Sequence, residues 1–364
     1  MKATKALAAL AISVLALTGC TGPGGTPAAP GGSGGATLAP MTNPDEASEG
    51  KNFTDVRASL GAVPKVTGDI KLGGVAKAFE NEYWRTLKQG MEIGAQKMTQ
   101  LGGMNVAIDM RSAQGESDEQ GQLAIAKDMI NKKYSALLLS PISDGNLVPA
   151  VEDAAKAGIP VVNVNDGIIA NAPNYVGPKA KQNGSSAAEW ISKKLNGQGE
   201  VAIVIGLPKA FAARQRTAGF EEYMQANSPG IKIVEKQNAD WDRAKAKDLA
   251  DTWIKKHPDL KAIFCNNDTM ALGVVEAVKA SGKQILVVGV DGIGEAYASI
   301  KKGELSATID SFPKFKGQIA VEMTIRILGG QKVPRVVWTP QALIDSTNVD
   351  TPAEQIISWK DPNF

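Results

Sequence analysis

The residues of this sequence that could do chemistry stand singly or in short groups, each directly after a short apolar run. Lys77 follows 72–76, Ser140 follows 136–139, and Asn165-Asp166 follows 160–164. Asn266-Asn267-Asp268 follows 262–265, and Asp291-Gly292 follows 285–290. Amides, a hydroxyl and isolated charges can surround a polar guest with donors and acceptors. They do not make a catalytic set. The only histidine, His257, lies in Lys255-Lys256-His257-Pro258-Asp259, which removes histidine triads and multi-histidine metal sites. Asp166, Asp240 and Asp291 lack the spacing of a glycosidase pair. Gly206-Leu207-Pro208-Lys209 is not a phosphate loop, and no GxGxxG follows a strand. No cofactor and no metal are expected, and the chain does not read as an enzyme.

These residues need elements to position them. Apolar runs recur at 72–76, 105–108, 136–139, 160–164, 201–205, 232–234, 262–265 and 285–290. Helical periodicity fills the gaps: Leu87, Met91, Ala95 and Met98 share one face of the first helix. Continuous aliphatic strands separated by helices predict parallel sheets covered on both faces. The fold class is therefore α/β, with two doubly wound parallel-sheet lobes. An eight-stranded β/α barrel is the alternative that fits the count. Ligands on doubly wound sheets bind beyond the carboxyl ends of the strands, where the polar residues above fall.

The chain has 364 residues, 43% of them apolar and 21% charged, enough for two or three domains. Residues 1–19 begin with Lys2 and Lys5, continue in an apolar run over 6–17 and end in Leu17-Thr18-Gly19, a secretory signal too short to span a bilayer. The Leu-Thr-Gly-Cys ending resembles a bacterial lipobox and marks Cys20 as the lipidated first residue of the mature chain. Without Lys2 and Lys5, the 40 basic residues fall to 38 against 38 acidic ones. A neutral chain has no electrostatic footprint for nucleic acid. Thirteen of the thirty residues from 21 to 50 are Gly or Pro. That composition reads as a flexible tether, extended here to residue 66. Cys265, within an apolar strand and without a partner, reads as core.

Five segments then carry a resemblance to a known family. They are Ile159-Pro160-Val161-Val162, Arg216-x-x-Gly219-Phe220, Ala239-Asp240-Trp241-Asp242-Arg243, Asn267-Asp268-x-Met270-Ala271-Leu272-Gly273 and Val287-Val288-Gly289-Val290-Asp291-Gly292. In this order and spacing the chain resembles the type I periplasmic solute-binding proteins, in the sugar-binding group that includes ribose-binding protein, from about residue 70 to 343. The resemblance implies two lobes joined by three crossovers, near 176–178, 310–313 and 339–341, with a ligand trapped between them by hinge closure. It implies ring-stacking aromatics at Tyr83, Trp84 and Trp241, and hydroxyl-binding groups at Asn81, Arg216, Asn267 and Asp291. Asp268 is expected to cap a helix, and Arg214 to sit at the surface or in a salt bridge.

The chain departs from the ribose-binding pattern at four places. Lys77 stands for a serine, Ser140 for an asparagine, Asn165-Asp166 for Asp-Arg and Ser311 for a glutamine. Lys77 and Arg216 balance Asp166 and Asp291, provided Glu80 and Glu82 face solvent. The expected ligand is therefore a neutral monosaccharide or polyol, with ribose itself in doubt. By this reading residues 67–177 and 312–340 form the N-terminal lobe, and 178–311 and 341–364 the C-terminal lobe. The expected partner is an ABC permease, met outside the cytoplasm by a lipid-anchored monomer. The alternative partner is a membrane sensor to which the protein reports a sugar.

Overall fold

Strands that are apolar along their whole length need cover on both faces, and here helices supply it. The computed structural model describes residues 39–165 and 167–361, so Cys20 and Asp166 lie outside the described residues. The chain opens with β1 (Lys51–Asn52), β2 (Gly68–Ala76), β3 (Met104–Ser112), β4 (Ala136–Leu139), β5 (Val161–Val164) and β6 (Asn174–Gly177). It continues with β7 (Gln198–Ile205), β8 (Gly230–Asn238), β9 (Leu260–Cys265), β10 (Leu286–Asp291) and β11 (Ala307–Asp310), then β12 (Val336–Trp338) and β13 (Ala342–Asp345).

The first sheet runs β1-β12-β6-β5-β4-β2-β3 and is parallel throughout. The second runs β13-β11-β10-β9-β7-β8, parallel except where β13 joins β11 antiparallel. Two separate sheets remove the barrel alternative. The chain passes between them after β6, after β11 and after β12. Five strands were not legible as apolar runs: β1, β6, β11, β12 and β13. All are two to four residues long, and four of them flank the passages between sheets.

Helices α1 (Phe53–Leu60), α2 (Glu82–Gln100), α3 (Glu119–Asn131) and α4 (Val148–Lys156) belong to the first lobe. The second holds α5 (Ala180–Lys194), α6 (Phe211–Asn227), α7 (Arg243–Lys256), α8 (Asp268–Ser281) and α9 (Gly294–Lys301). Helix α10 (Pro313–Leu328) returns to pack on α2, and α11 (Ala353–Ile356) closes the chain. The predicted face of α2 is the buried one, with Leu87, Met91, Ala95 and Met98 all in the core.

Two boundaries need correction. The tether does not reach residue 66. Met41 is buried against Ile168, Tyr175 and Phe211, β1 pairs with β12, and Phe53 and Val56 of α1 enter the core. Burial of these few large apolar residues outweighs the Gly/Pro composition around them. Asp45, in this segment, accepts a hydrogen bond from the Lys181 amide at the start of α5, and Trp338 donates its indole N–H to the Pro44 carbonyl. Nor does the whole of 341–364 belong to the second lobe. Trp359 stacks on Phe53 at 5.8 Å and packs on Phe315 at 4.8 Å, and Lys97 pairs with Asp361. An aromatic cluster draws the chain end back to the first lobe.

Candidate functional site

Each sheet has one point where the loops from neighbouring strands diverge, between β2 and β4 in the first and between β7 and β9 in the second. Polar groups collect there because the strand ends leave a crevice. One cleft is lined by residues from both lobes: Lys77, Asn81, Tyr83, Trp84, Glu116 and Asn165 from the first, Arg216, Trp241, Asn267 and Asp291 from the second. Nine of these were expected from the sequence. Ser140 and Ser311 are buried beside the cleft without lining it. The Ser140 backbone carbonyl accepts from Gln122, and the Ser311 hydroxyl accepts from Lys316.

In the second lobe, β10 ends at Asp291, held at φ 130° and followed by Gly292 at φ 79°. This left-handed backbone aims the carboxylate back toward α6. There Nη1 of Arg216, 1% exposed, donates to Asp291 Oδ1 at 3.2 Å and to the Asn266 carbonyl at 2.6 Å. Trp241 is also left-handed, at φ 68°, after Asp240 at φ 53°. Its ring lies over Gly206, where any side chain would overlap the indole. Consecutive strained residues persist only where the surroundings over-determine them, and such positions cluster at binding sites.

The capping expectation is corrected. Asn267, not Asp268, caps α8, its Oδ1 accepting from the Met270 amide. Asp268 is fully buried, and its carboxylate accepts from the amides of Gly292 and Ile293 and from the Thr308 hydroxyl. It thereby shapes the turn that follows Asp291.

In the first lobe, Asn81 caps α2 with Oδ1 and donates Nδ2 to Glu116 at 2.9 Å. Glu116 also accepts the indole N–H of Trp84 at 3.0 Å. Tyr83 meets Trp84 edge-on, with 5.2 Å between ring centroids, and donates its hydroxyl to Asn165 Oδ1 at 2.5 Å. The Lys77 ammonium stands 5.3 Å from the Trp84 ring and 6.0 Å from the Trp241 ring, between aromatics of the two lobes.

Sequence reasoning missed two ionisable groups here, Glu116 and Lys316. Strand β3 runs four residues past its apolar stretch, so the loop carrying Glu116 begins later than hydrophobicity suggests. Lys316 falls on the core face of α10 with Ile319, Ala320 and Met323, all buried. A lysine at a core position of a helical repeat was the available signal. The expectation for Glu82 is corrected as well. It does not simply face solvent, because its carboxylate accepts from the Gly294 and Glu295 amides at the start of α9 across the cleft. A carboxylate at a helix N-terminus is favourable, so this contact draws the lobes together. Arg214–Asp144 and Lys209–Glu119 also pair across the cleft. The cavity left inside is about 20 Å³. A monosaccharide can enter only when the lobes part.

Beneath the second-lobe half of the site, burial raises Asp268 to about 6 and Asp310 to about 7. Asp310 accepts from the Tyr297 hydroxyl and from the Phe312 amide at the crossover. A carboxyl that holds its proton more tightly when folded contributes stability that is complete below its unfolded pKa, about 4. That stability is lost as pH rises through about 7. The slope for one proton is about 1.4 kcal/mol per pH unit. Asp310→Asn is therefore expected to flatten the fall in stability between pH 5 and 7.5. Urea midpoints across that range check this, and a slope equal to the parent's would refute it. Cys265 is wholly buried, and burial raises its thiol pKa well above the ordinary value.

Residues 72–332 match the family described as a periplasmic binding protein domain. The chain is 35% identical over 286 residues to the ribose import binding protein of Bacillus subtilis (strain 168), covering 78% of this chain and 90% of that protein. It is 34% identical over 284 residues to the D-allose-binding periplasmic protein of Escherichia coli (strain K12), covering 75% and 89%. Among solved structures, an ABC transporter periplasmic solute binding protein from Actinobacillus succinogenes 130z with bound D-allose superposes with a TM-score of 0.72. It has 28% identity and covers 78% of this chain and all of that one. A solute binding protein from Bacillus halodurans C-125 with bound myo-inositol gives 0.71 at 25% identity, covering 78% and 97%.

Proposed function

The chain belongs to the periplasmic binding protein domain family, in its ribose-binding-like group, and from that premise we propose that it captures a neutral sugar or sugar alcohol outside the cytoplasm for an ABC importer. The observation that carries this reading is the pairing of Trp84 and Trp241, one indole from each lobe, around a cleft whose other walls are hydrogen-bonding groups. Aromatic faces suit the C–H surface of a sugar, and Arg216, Asn267 and Asp291 suit its hydroxyls. The ligand touches both lobes only when they are closed, so it stabilises the closed form by differential affinity. The closed pair of lobes is the form a permease would read. The names of the relatives support ribose, allose or inositol as the class of ligand. Attachment to the membrane through Cys20 is supported by the leader sequence.

Thermal unfolding of the protein with pentoses, hexoses, sugar alcohols, nucleosides and amino acids tests this. A ligand at a hundredfold its dissociation constant adds about 2.7 kcal/mol, a rise of roughly 4 °C for a folded part of this size. One neutral polyhydroxylated compound is expected to produce it. Trp241→Ala should weaken that compound about tenfold to a hundredfold by removing a stacking wall. A response confined to an amino acid or a nucleoside would overturn the sugar reading and leave the fold untouched.

A further inference from the structure

Lys316 is fully buried on the fourth residue of α10, immediately after the second passage between the lobes. Two effects disfavour a cation there. Burial removes its hydration, and the first turn of a helix repels positive charge. Its neighbours on the same face are apolar and buried, so a methionine would satisfy packing. What the ammonium does instead is donate to Tyr83 Oη at 2.6 Å, Asn165 Oδ1 at 2.8 Å and Ser311 Oγ at 3.2 Å.

These bonds fix directions. Tyr83 accepts from Lys316, so its own proton goes to Asn165 Oδ1. That oxygen then accepts two hydrogen bonds, which uses the capacity of a carbonyl. The Asn165 amide cannot flip without setting its –NH₂ against the ammonium. Asn165 is itself held left-handed at φ 75°, which fixes where its side chain leaves the backbone.

We propose that Lys316 is a specificity-determining positioning residue: by locking Tyr83 and Asn165, it makes this corner of the first lobe present amide donors to the ligand. With Lys77 beside it, the corner selects a ligand oxygen that accepts. Acceptance by the protein falls to Glu116 and Asp291 elsewhere in the cleft. This rests on the reading of the cleft as a sugar site.

The test is calorimetric titration of the wild-type protein, Lys316→Met and Tyr83→Phe with D-ribose, D-allose, myo-inositol and D-glucose. Wild type is expected to prefer one of them by about tenfold or more. In Lys316→Met the preferred sugar should lose about tenfold or more while the least preferred changes less than about threefold, because the freed amide can now offer either end. Tyr83→Phe removes one of the bonds that orient Asn165 and should give a smaller loss of selectivity. An equal loss for every sugar would reduce Lys316 to structural support and overturn the proposal, as would unchanged selectivity. Should Lys316→Met fail to fold, unchanged selectivity in Tyr83→Phe overturns it. Failure of wild type to respond to any sugar or sugar alcohol in the thermal screen defeats the sugar reading itself, a result distinct from binding with selectivity that Lys316 does not control.

Discussion

Asp291→Ala is expected to abolish ligand capture and to destabilise the second lobe. The carboxylate is 5% exposed and the guanidinium facing it 1%. Removing one member of a buried pair weakens the compensation of the other charge, and breaking such a pair costs up to about 3–5 kcal/mol. The Asn266 carbonyl still accepts from Arg216, but it brings no charge. The ligand loses a charge-assisted acceptor, and Arg216 loses one of the contacts that hold its fork in the cleft. Affinity should fall by about a hundredfold or more. Asp291→Asn keeps an acceptor and should lose less. Calorimetric titration with the ligand identified by thermal shift measures the first effect, and urea denaturation the second. Wild-type affinity in Asp291→Ala would remove this residue from the site.

Gly184→Ala has an effect of similar size and the opposite sign to ordinary expectation. Within a helix, alanine in place of glycine gains about 1 kcal/mol. Here α5 crosses α6 with backbone on backbone. A methyl group at Gly184 would overlap the Arg216 carbonyl and stand 2.9 Å from the Phe220 amide, and one at Gly219 would overlap the Lys181 carbonyl. Neither obstacle is a flexible side chain, so the helices must separate. Overpacking costs about 1–3 kcal/mol when side chains yield, and more is expected when backbone must move. The net result should be a loss of about 2 kcal/mol or more. Since α6 carries Arg216, separation also displaces the guanidinium, so affinity should fall in the protein that remains folded. Stability equal to or above wild type would show that the crossing is looser than the structure indicates.

This crossing explains part of what was readable beforehand. The segment Arg216-x-x-Gly219-Phe220 marks family membership, and its physical content is an arginine aimed into a cleft from a helix that must touch its neighbour without a side chain between them. The apolar runs behave likewise. Strand β4 is aliphatic and buried at every position, so its uninterrupted aliphatics alone told that both faces are covered. Lys77, Asn165, Asn267 and Asp291 were legible because a strand end in a doubly wound sheet opens on the crevice.

Where local pattern and long-range contact disagreed, contact prevailed. The segment 41–60 looks like tether by composition, yet Met41, Phe53 and Val56 bury against residues distant in sequence. Trp359 sits near the chain end and returns to Phe53 and Phe315. Asp268 has the type and place of a cap, but its neighbour Asn267 reaches the Met270 amide, leaving Asp268 to the turn after β10.

The sequence by itself determined the α/β alternation, the two lobes and the chemistry of the strand ends, because each is encoded in residues within one or two turns of each other. Only the tertiary structure decided that Glu116 lines the cleft, that Lys316 bonds Tyr83 and Asn165 behind it, and that Glu82 joins the lobes across it. Those assignments depend on which side chains meet across separations of 32 to 233 residues along the chain, as Trp84 meets Glu116 and Lys316 meets Tyr83. Hydrophobic periodicity specifies which face of an element is buried; it carries no information about which polar group will be opposite.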